Sequence, residues 1–260
     1  MIKRFFADIK KYLGYSYVSA KSQLKTEVAN SYLNWIWWIL NPLCFMLIYT
    51  FIFGNVFGAR EQYFPVFIFI GISMWDFFNN VLKSSIKIVK KNKPVVSRVY
   101  FPKYILIITQ MLADGFKMLI SFGVVVLMMV VFRVPLSWHV LFFIPVLLIL
   151  VLFTFGCSCF VLHFGVYVED LSNVINIVLR FCFYLTGIFY NVEKKIPGMG
   201  VHLNRYNPLA FLISAMRQGL LYAQVPDLRY LGLWLVVSLL LAMGGVALIY
   251  KEENSYLKAV

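Results

Sequence analysis

The sequence predicts an all-α integral membrane protein of six transmembrane helices. Composition is the first observation behind this. The 260 residues are 62% hydrophobic and 13% charged, whereas soluble domains are roughly half apolar and a quarter charged. Segment length is the second. The apolar runs are longer than core helices and reach the about 20 residues that cross a bilayer core. They are helices rather than strands, because lipid does not tolerate an open sheet edge. Charge placement is the third. The net charge of +13 lies in clusters beside the apolar runs, where it suits lipid headgroups and membrane orientation rather than nucleic acid.

Residues 1–32 come first. They mix aromatic, basic and polar side chains without enough apolar length to span. This pattern predicts an interfacial helix over 5–32, lying along the membrane surface. No cleavable signal precedes it, since the first long apolar run starts near Leu33 and exceeds a signal core. The spans are read at 33–57, 64–86, 104–132, 140–164, 172–190 and 230–250. The longer ones must tilt or emerge.

Six spans put both termini on one side. With the N-terminus inside, fourteen Lys and Arg fall in the cytoplasmic parts and seven in the outer parts. Basic residues favour the cytoplasmic side, so both termini are expected there. Residues 191–229 form a long outer segment. Within it Leu209, Leu212, Ile213, Met216 and Leu220 repeat at helical spacing over a length too short to cross. Asn207-Pro208 provides a helix start, with proline tolerated in the first turn. Short helices that dip in and return are expected there.

Two spans carry a polar or aromatic stripe. In span five, Asn173, Asn176, Arg180, Tyr184, Gly187 and Asn191 follow at intervals of three or four. They share one helix face at about 100° per residue. Helix–helix glue is one reading. The wall of a polar pathway is the other, and Arg180 favours it, because a charge in a span must face protein or water. In span one, Asn34, Trp38, Asn41, Phe45 and Tyr49 make a face of amides and rings. Such rings offer flat surfaces suited to sugar C–H faces, while Trp35 and Trp37 fit an interfacial belt. Asp76, Asn80 and Lys83 make a shorter stripe in span two. Asp114 and Lys117 form an i,i+3 pair in span three that can neutralise itself inside the bundle.

Several chemistries are missing. The sequence has no phosphate-loop motif, no soluble domain, no Ser/His/Asp set and no metal-ligand cluster. His139, His163 and His202 sit near membrane boundaries, where local hydrogen bonding is the expected role. Cys44, Cys157, Cys159 and Cys182 all lie in apolar runs and read as small apolar filler. Work against a gradient would therefore draw on an ion gradient or a separate ATPase.

In order along the chain, several segments carry a family likeness. "SQLKTEVANSYLNWIWWILNPL" (Ser22 to Leu43) is similar to an interface helix running into span one. "GISMWDFFNN" (Gly71 to Asn80) follows, with Trp75 and Phe78 in register. "NKPVVSRVYFPK" (Asn92 to Lys103) has an Asn and, some nine residues on, Phe-Pro and a base. Then come "GVYVEDLSNVINIVLRFCFYLTGIFY" and "IPGMGVHLNRYNPLAFLISAMRQGLLY". Together they resemble the membrane subunit of type-2 ABC exporters, within them the polysaccharide exporters of O-antigen, teichoic acid or capsule (Wzm type for O-antigen).

The resemblance implies a bacterial inner-membrane permease that is not itself an enzyme. It implies a second copy of this chain and two copies of an ABC ATPase. ATP and magnesium would be bound by that ATPase, with no cofactor in this chain. The cargo would be a lipid-linked polysaccharide, carried through a channel lined chiefly by spans one and five. Asn34, Trp38, Asn41, Phe45, Tyr49, Asn176, Arg180, Tyr184 and Asn191 are its candidate lining. The resemblance further implies a coupling helix over 94–102, with Asn92, Pro94, Val95, Arg98, Val99, Tyr100, Phe101 and Pro102 seating in the ATPase. The apolar members from Val95 to Phe101 are expected as an exposed knob. Pro197, Asn207, Pro208 and Arg217 mark the outer gate. Alternatives are export of a drug or small lipid, an ion-coupled transporter and a membrane glycosyltransferase.

Overall fold

In the computed structural model, residues 2–29, 32–58, 61–97, 101–195 and 198–259 are described, and among them every regular element is a helix. The order begins with α1 (Ile2–Val28). A 3₁₀ turn (Asn34–Ile36) leads into α2 (Trp37–Tyr49), which continues as a π-helix (Thr50–Val56). Next come α3 (Phe64–Ile86), the short α4 (Ile88–Lys91) and α5 (Lys93–Val96), and α6 (Tyr104–Val131). A second 3₁₀ turn (Trp138–Phe142) opens α7 (Phe143–Tyr167), followed by α8 (Leu171–Leu185). Short α9 (Val192–Lys195) and α10 (Gly200–Tyr206) precede α11 (Pro208–Leu221) and α12 (Leu228–Ala259).

Five helices are long and apolar enough to cross a membrane: Trp37–Val56, Phe64–Ile86, Tyr104–Val131, Trp138–Tyr167 and Leu228–Glu253. The sixth expected span is the 15-residue α8. At ~1.5 Å per residue it is about 22 Å long, less than the ~30 Å hydrocarbon core. It stops where Gly187 turns left-handed, at φ +69°. A Cβ there would strike Val192, so only glycine fits this sharp exit. Gly187 and Asn191 consequently leave the helix and do not extend the stripe of Asn173, Asn176, Arg180 and Tyr184.

α3 is the hub of the bundle. Its residues Val66 to Trp75 are all buried, and α6, α7, α8, α2 and α11 pack around it. α7 and α12 approach closely through small residues. A Cβ on Gly156 would lie 2.8 Å from Leu241 Cβ, and one on Gly245 would lie 2.5 Å from Cys159 Cβ. Close backbone approach gives membrane helices the van der Waals contact that lipid cannot supply. α2 and α8 behave differently: few of their residues are buried in the protomer.

α11 starts as its sequence suggests. Asn207 Oδ1 accepts from the backbone N–H groups of Leu209 and Ala210 at 3.1 and 3.3 Å, and Pro208 follows in the first turn. A cap of this kind contributes about 1 kcal/mol. α11 is nearly all buried, against α3, α7 and the second 3₁₀ turn.

α1 lies across the bundle end that holds the basic α3–α6 connection, and it packs on α6. At its start, Tyr250 donates to Asp8 at 2.7 Å and Tyr104 donates to it at 3.1 Å. At its end, Gln23 donates to Gln110 at 2.9 Å and Glu27 pairs with Lys117 at 2.7 Å. The helix is therefore fastened to α6 and α12 near one terminus and to α6 near the other.

A polar and aromatic face as candidate functional site

The stripe on α8 is uncovered. Asn173, Asn176, Arg180 and Tyr184 are exposed, and so are its apolar neighbours Ile177, Val178 and Phe181. Leu179 is the buried residue of this helix. An arginine on a membrane helix is costly unless it meets protein or water. The rest of the described chain does not cover this face.

The upper part of the α2 stripe meets α8. The Tyr49 ring lies 4.3 Å from that of Phe189 and 6.4 Å from Phe183, and it stacks on Phe45 at 6.2 Å. Tyr184 stands 6.4 Å from the same Phe189. Phe45, Tyr49 and Tyr184 therefore belong to one aromatic cluster. Phe53, Phe183 and Phe189 join it, with Phe53 and Phe189 stacked at 4.7 Å and Trp75 of α3 5.4 Å from Phe183. Sequence reading missed these three. Phe53 was accessible as the next i+4 step after Phe45 and Tyr49. Phe189 was not, because it reaches the cluster only through the turn after α8.

The lower part of the α2 stripe turns elsewhere. Trp38 meets Phe116 of α6 edge-on at 6.2 Å. Trp38 and Asn41 line a cavity of ≈ 220 Å³ with Ser73, Asp76, Asn80 and Lys117. Asn34 opens the 3₁₀ turn before α2. The five residues read as one face thus divide, because the helix passes from α6 to α8 along its length. Two of the charges beside this cavity, Asp114 and Lys117, are paired. Lys117 Nζ is 3.2 Å from Asp114 Oδ1 as well as bonded to Glu27, and Gln110 donates to Asp114 at 2.7 Å.

At the end remote from α1, a cavity of ≈ 450 Å³ is lined by Glu61, Tyr190, Asn191, Asn204, Arg217 and Gln218 among others. Asn191 caps α9, its Oδ1 accepting from the N–H of Glu193 at 3.0 Å. Lys194 reaches across to Glu61 at 2.8 Å, joining α9 to the loop before α3. Arg217 is 4% exposed. Its guanidinium donates to the carbonyls of Phe67, Gly187 and Ile188 at 3.0, 2.9 and 2.9 Å, and it lies 3.4 Å over the Phe67 ring. It fastens α11 to α3 and to the turn that ends α8. Pro197 falls outside the described residues.

Of the segment read as a coupling helix, the described residues are α-helical only as far as Val96. Asn92 donates to the Ile88 carbonyl at 2.8 Å and closes α4. Pro94 stands in the first turn of α5, which ends at Val96. Arg98, Val99 and Tyr100 lie outside the described residues. Phe101 and Pro102 are non-helical and buried. The exposed knob expected from Val95 to Phe101 does not hold for Val96 and Phe101. Phe101 is 2% exposed, with its ring 5.5 Å from Tyr15 and 6.2 Å from Tyr12. α1 lies over this end and takes the ring, leaving Val95 exposed. Nearby, Lys90 bonds Glu169 at 3.0 Å across to the α7–α8 loop. That bond holds the Glu169 carboxyl below the usual carboxylate range, so the pair persists at neutral pH and is lost on acidification through the lowered value.

Known proteins are similar in sequence to this chain along most of its length. An O-antigen export system permease protein, RfbA, of Klebsiella pneumoniae is 28% identical over 255 residues, covering 95% of this chain and 97% of its own. The RfbA of Myxococcus xanthus is 21% identical over 261 residues, covering 99% of each. The polysialic acid transport protein KpsM of Escherichia coli is 21% identical over 243 residues, covering 90% of this chain and 92% of its own. The ABC-2 type transporter family matches residues 17–221, from α1 through the end of α11, and the chain belongs to that family.

Proposed function

We propose that this chain is the membrane-spanning permease of an ATP-driven exporter of undecaprenyl-diphosphate-linked, O-antigen-type polysaccharide. The observation that carries the reading is the uncovered α8 face, where Asn173, Asn176, Arg180 and Tyr184 need a second polar or aqueous surface. A second copy of the chain supplies it, and the space between the copies is the conduit. The full-length similarity to O-antigen export permeases supports the choice of cargo. Similarity to KpsM favours a second reading, export of capsular polymer.

In this scheme the protein sits in the bacterial inner membrane with both termini cytoplasmic. The basic end faces the cytoplasm, in keeping with positive charge on that side. Two ATPase subunits dock there and hydrolyse ATP with magnesium. Arg180 is a candidate partner for the lipid diphosphate, as a fork-shaped phosphate donor. The glycan slides along Phe45, Tyr49 and Tyr184, each ring offering a weak and releasable contact. Asn207, Pro208 and Arg217 belong to the outer gate, and the Glu61–Lys194 bridge lies beside it.

The test is complementation of a deletion strain, with surface glycan and cytoplasmic lipid-linked glycan both quantified. Paired Tyr49→Ala and Tyr184→Ala should cut surface glycan severalfold at normal protein level, while the lipid-linked form accumulates inside. Full export by that variant would remove the aromatic track. A deletion strain that accumulates no lipid-linked glycan would remove the exporter reading.

A further inference from the structure

We infer that a basic cleft at the inner end of α3, formed around Lys83, Lys87 and Lys91, binds the diphosphate of the lipid-linked substrate before it reaches the conduit. The cleft measures ≈ 690 Å³ and lies between α1, the α3–α4 junction, α6 and the start of α8. Three lysines line it at i, i+4 and i+8, and no acidic residue does. The three lie in the last turn of α3, at the α3–α4 junction and at the end of α4, and ammonium groups sharing one cleft repel each other, which favours an anion between them. Among the described residues, none of the three is in an ion pair. Three acids of the surrounding elements are paired with other lysines, Glu27 and Asp114 with Lys117 and Glu169 with Lys90, while Asp76 of α3 lines the neighbouring cavity instead of this cleft.

A plainer account treats these lysines as orientation anchors and as partners of the helix C-terminus. That account explains basic residues facing the headgroups. It does not explain the opposite wall, where Ser22 of α1 and Ser172 and Asn176 of α8 face the same space. Hydroxyl and amide donors opposite three ammonium groups make a site for clustered phosphate oxygens. Asn176 belongs to the exposed α8 stripe, and Arg180 follows it one turn on. A diphosphate held here would sit at the foot of the polar path, with its glycan directed along α8.

The inference rests on the exporter reading above, and its test is separate from export. The full chain in phosphatidylcholine nanodiscs is titrated with undecaprenyl diphosphate, with inorganic pyrophosphate and phosphatidylglycerol as competitors. Lys83→Gln/Lys87→Gln/Lys91→Gln is compared with Lys3→Gln/Lys10→Gln/Lys11→Gln, which removes the same charge from exposed positions of α1. The expected result is competition by pyrophosphate and a Kd raised about tenfold or more in the cleft variant, against under about threefold in the control. Equal weakening in both variants would mean diffuse attraction and overturn the site. Displacement by phosphatidylglycerol as efficient as by pyrophosphate would overturn the diphosphate assignment in favour of any lipid phosphate. Lys83→Gln alone guards against misfolding and should still weaken binding measurably; unchanged binding would count against the cleft. A chain that binds at the cleft yet supports no export in cells would sink the exporter reading alone, while normal binding and export by the cleft triple would sink only this site.

Discussion

Arg217 shows what a single side chain can hold together. It is buried with no carboxylate ion-paired to it among the described residues, and three backbone carbonyls share its charge. Those carbonyls belong to α3 and to the turn after α8, so one guanidinium fixes three segments. A lysine has one ammonium and cannot reach three divergent acceptors in a plane. Arg217→Lys should therefore destabilise by about 2–4 kcal/mol, as buried polar groups lose their partners. Gly71→Ala attacks the same fork from the other side, since its Cβ would lie 2.6 Å from the guanidinium. Both variants should lower the thermal midpoint of the purified protein and speed proteolysis near the turn after α8. An unchanged midpoint in Arg217→Lys would show that the three carbonyls are satisfied some other way. Family likeness placed Arg217 in an outer segment, but its contacts were not legible. Its acceptors are main-chain atoms some 30 and 150 residues away, and a main-chain carbonyl leaves no mark in a residue pattern.

Elements were legible in proportion to how much of their cause is local. The amphipathic α1, the long apolar helices and the Asn-Pro start of α11 all follow from periodicity, length and capping. Two features do not. α8 ends at Leu185 because of how Gly187 turns, and a glycine within an apolar run does not announce that. The basic connection reads as a free knob because only α1, more than 80 residues earlier, reveals that Phe101 is covered. This covering has a mechanical consequence. α1 rests on Phe101 while its two ends are tied to α6, so a displacement of the connection is passed to α1. Phe101→Ala removes that bearing at about 3–5 kcal/mol locally. Hydrogen exchange should then rise in the α1 turns carrying Tyr12 and Tyr15, with α3 and α7 still protected. Phe101→Leu should restore most of the protection. Equal loosening of α1 and α3 would instead mean that Phe101 supports the whole bundle.

At the scale of the molecule, this chain solves the bilayer problem unevenly. Its buried core is built around α3, yet α2 and α8 stand largely uncovered and one of them carries Arg180. Sequence alone showed two stripes. It did not show that the helices bearing them meet at one end only, through Tyr49 and Phe183, because that follows from how α3 seats both. Lipid covers apolar side chains readily and covers an arginine poorly, so the α8 face is the surface on which two copies would meet in the proposed exporter. Cysteine crosslinking can examine this directly. In a background with Cys44, Cys157, Cys159 and Cys182 changed to serine, Phe181→Cys on α8 and Leu127→Cys on α6 are compared. Both parent side chains are 66% exposed in the protomer, so accessibility alone does not separate them. Facing copies would bring Phe181→Cys near its symmetry mate or within reach of a short bifunctional maleimide, while Leu127→Cys on the outer flank would stay monomeric in membranes. Dimer formation by Leu127→Cys but not by Phe181→Cys would place the interface on α6 and leave Arg180 to a different partner.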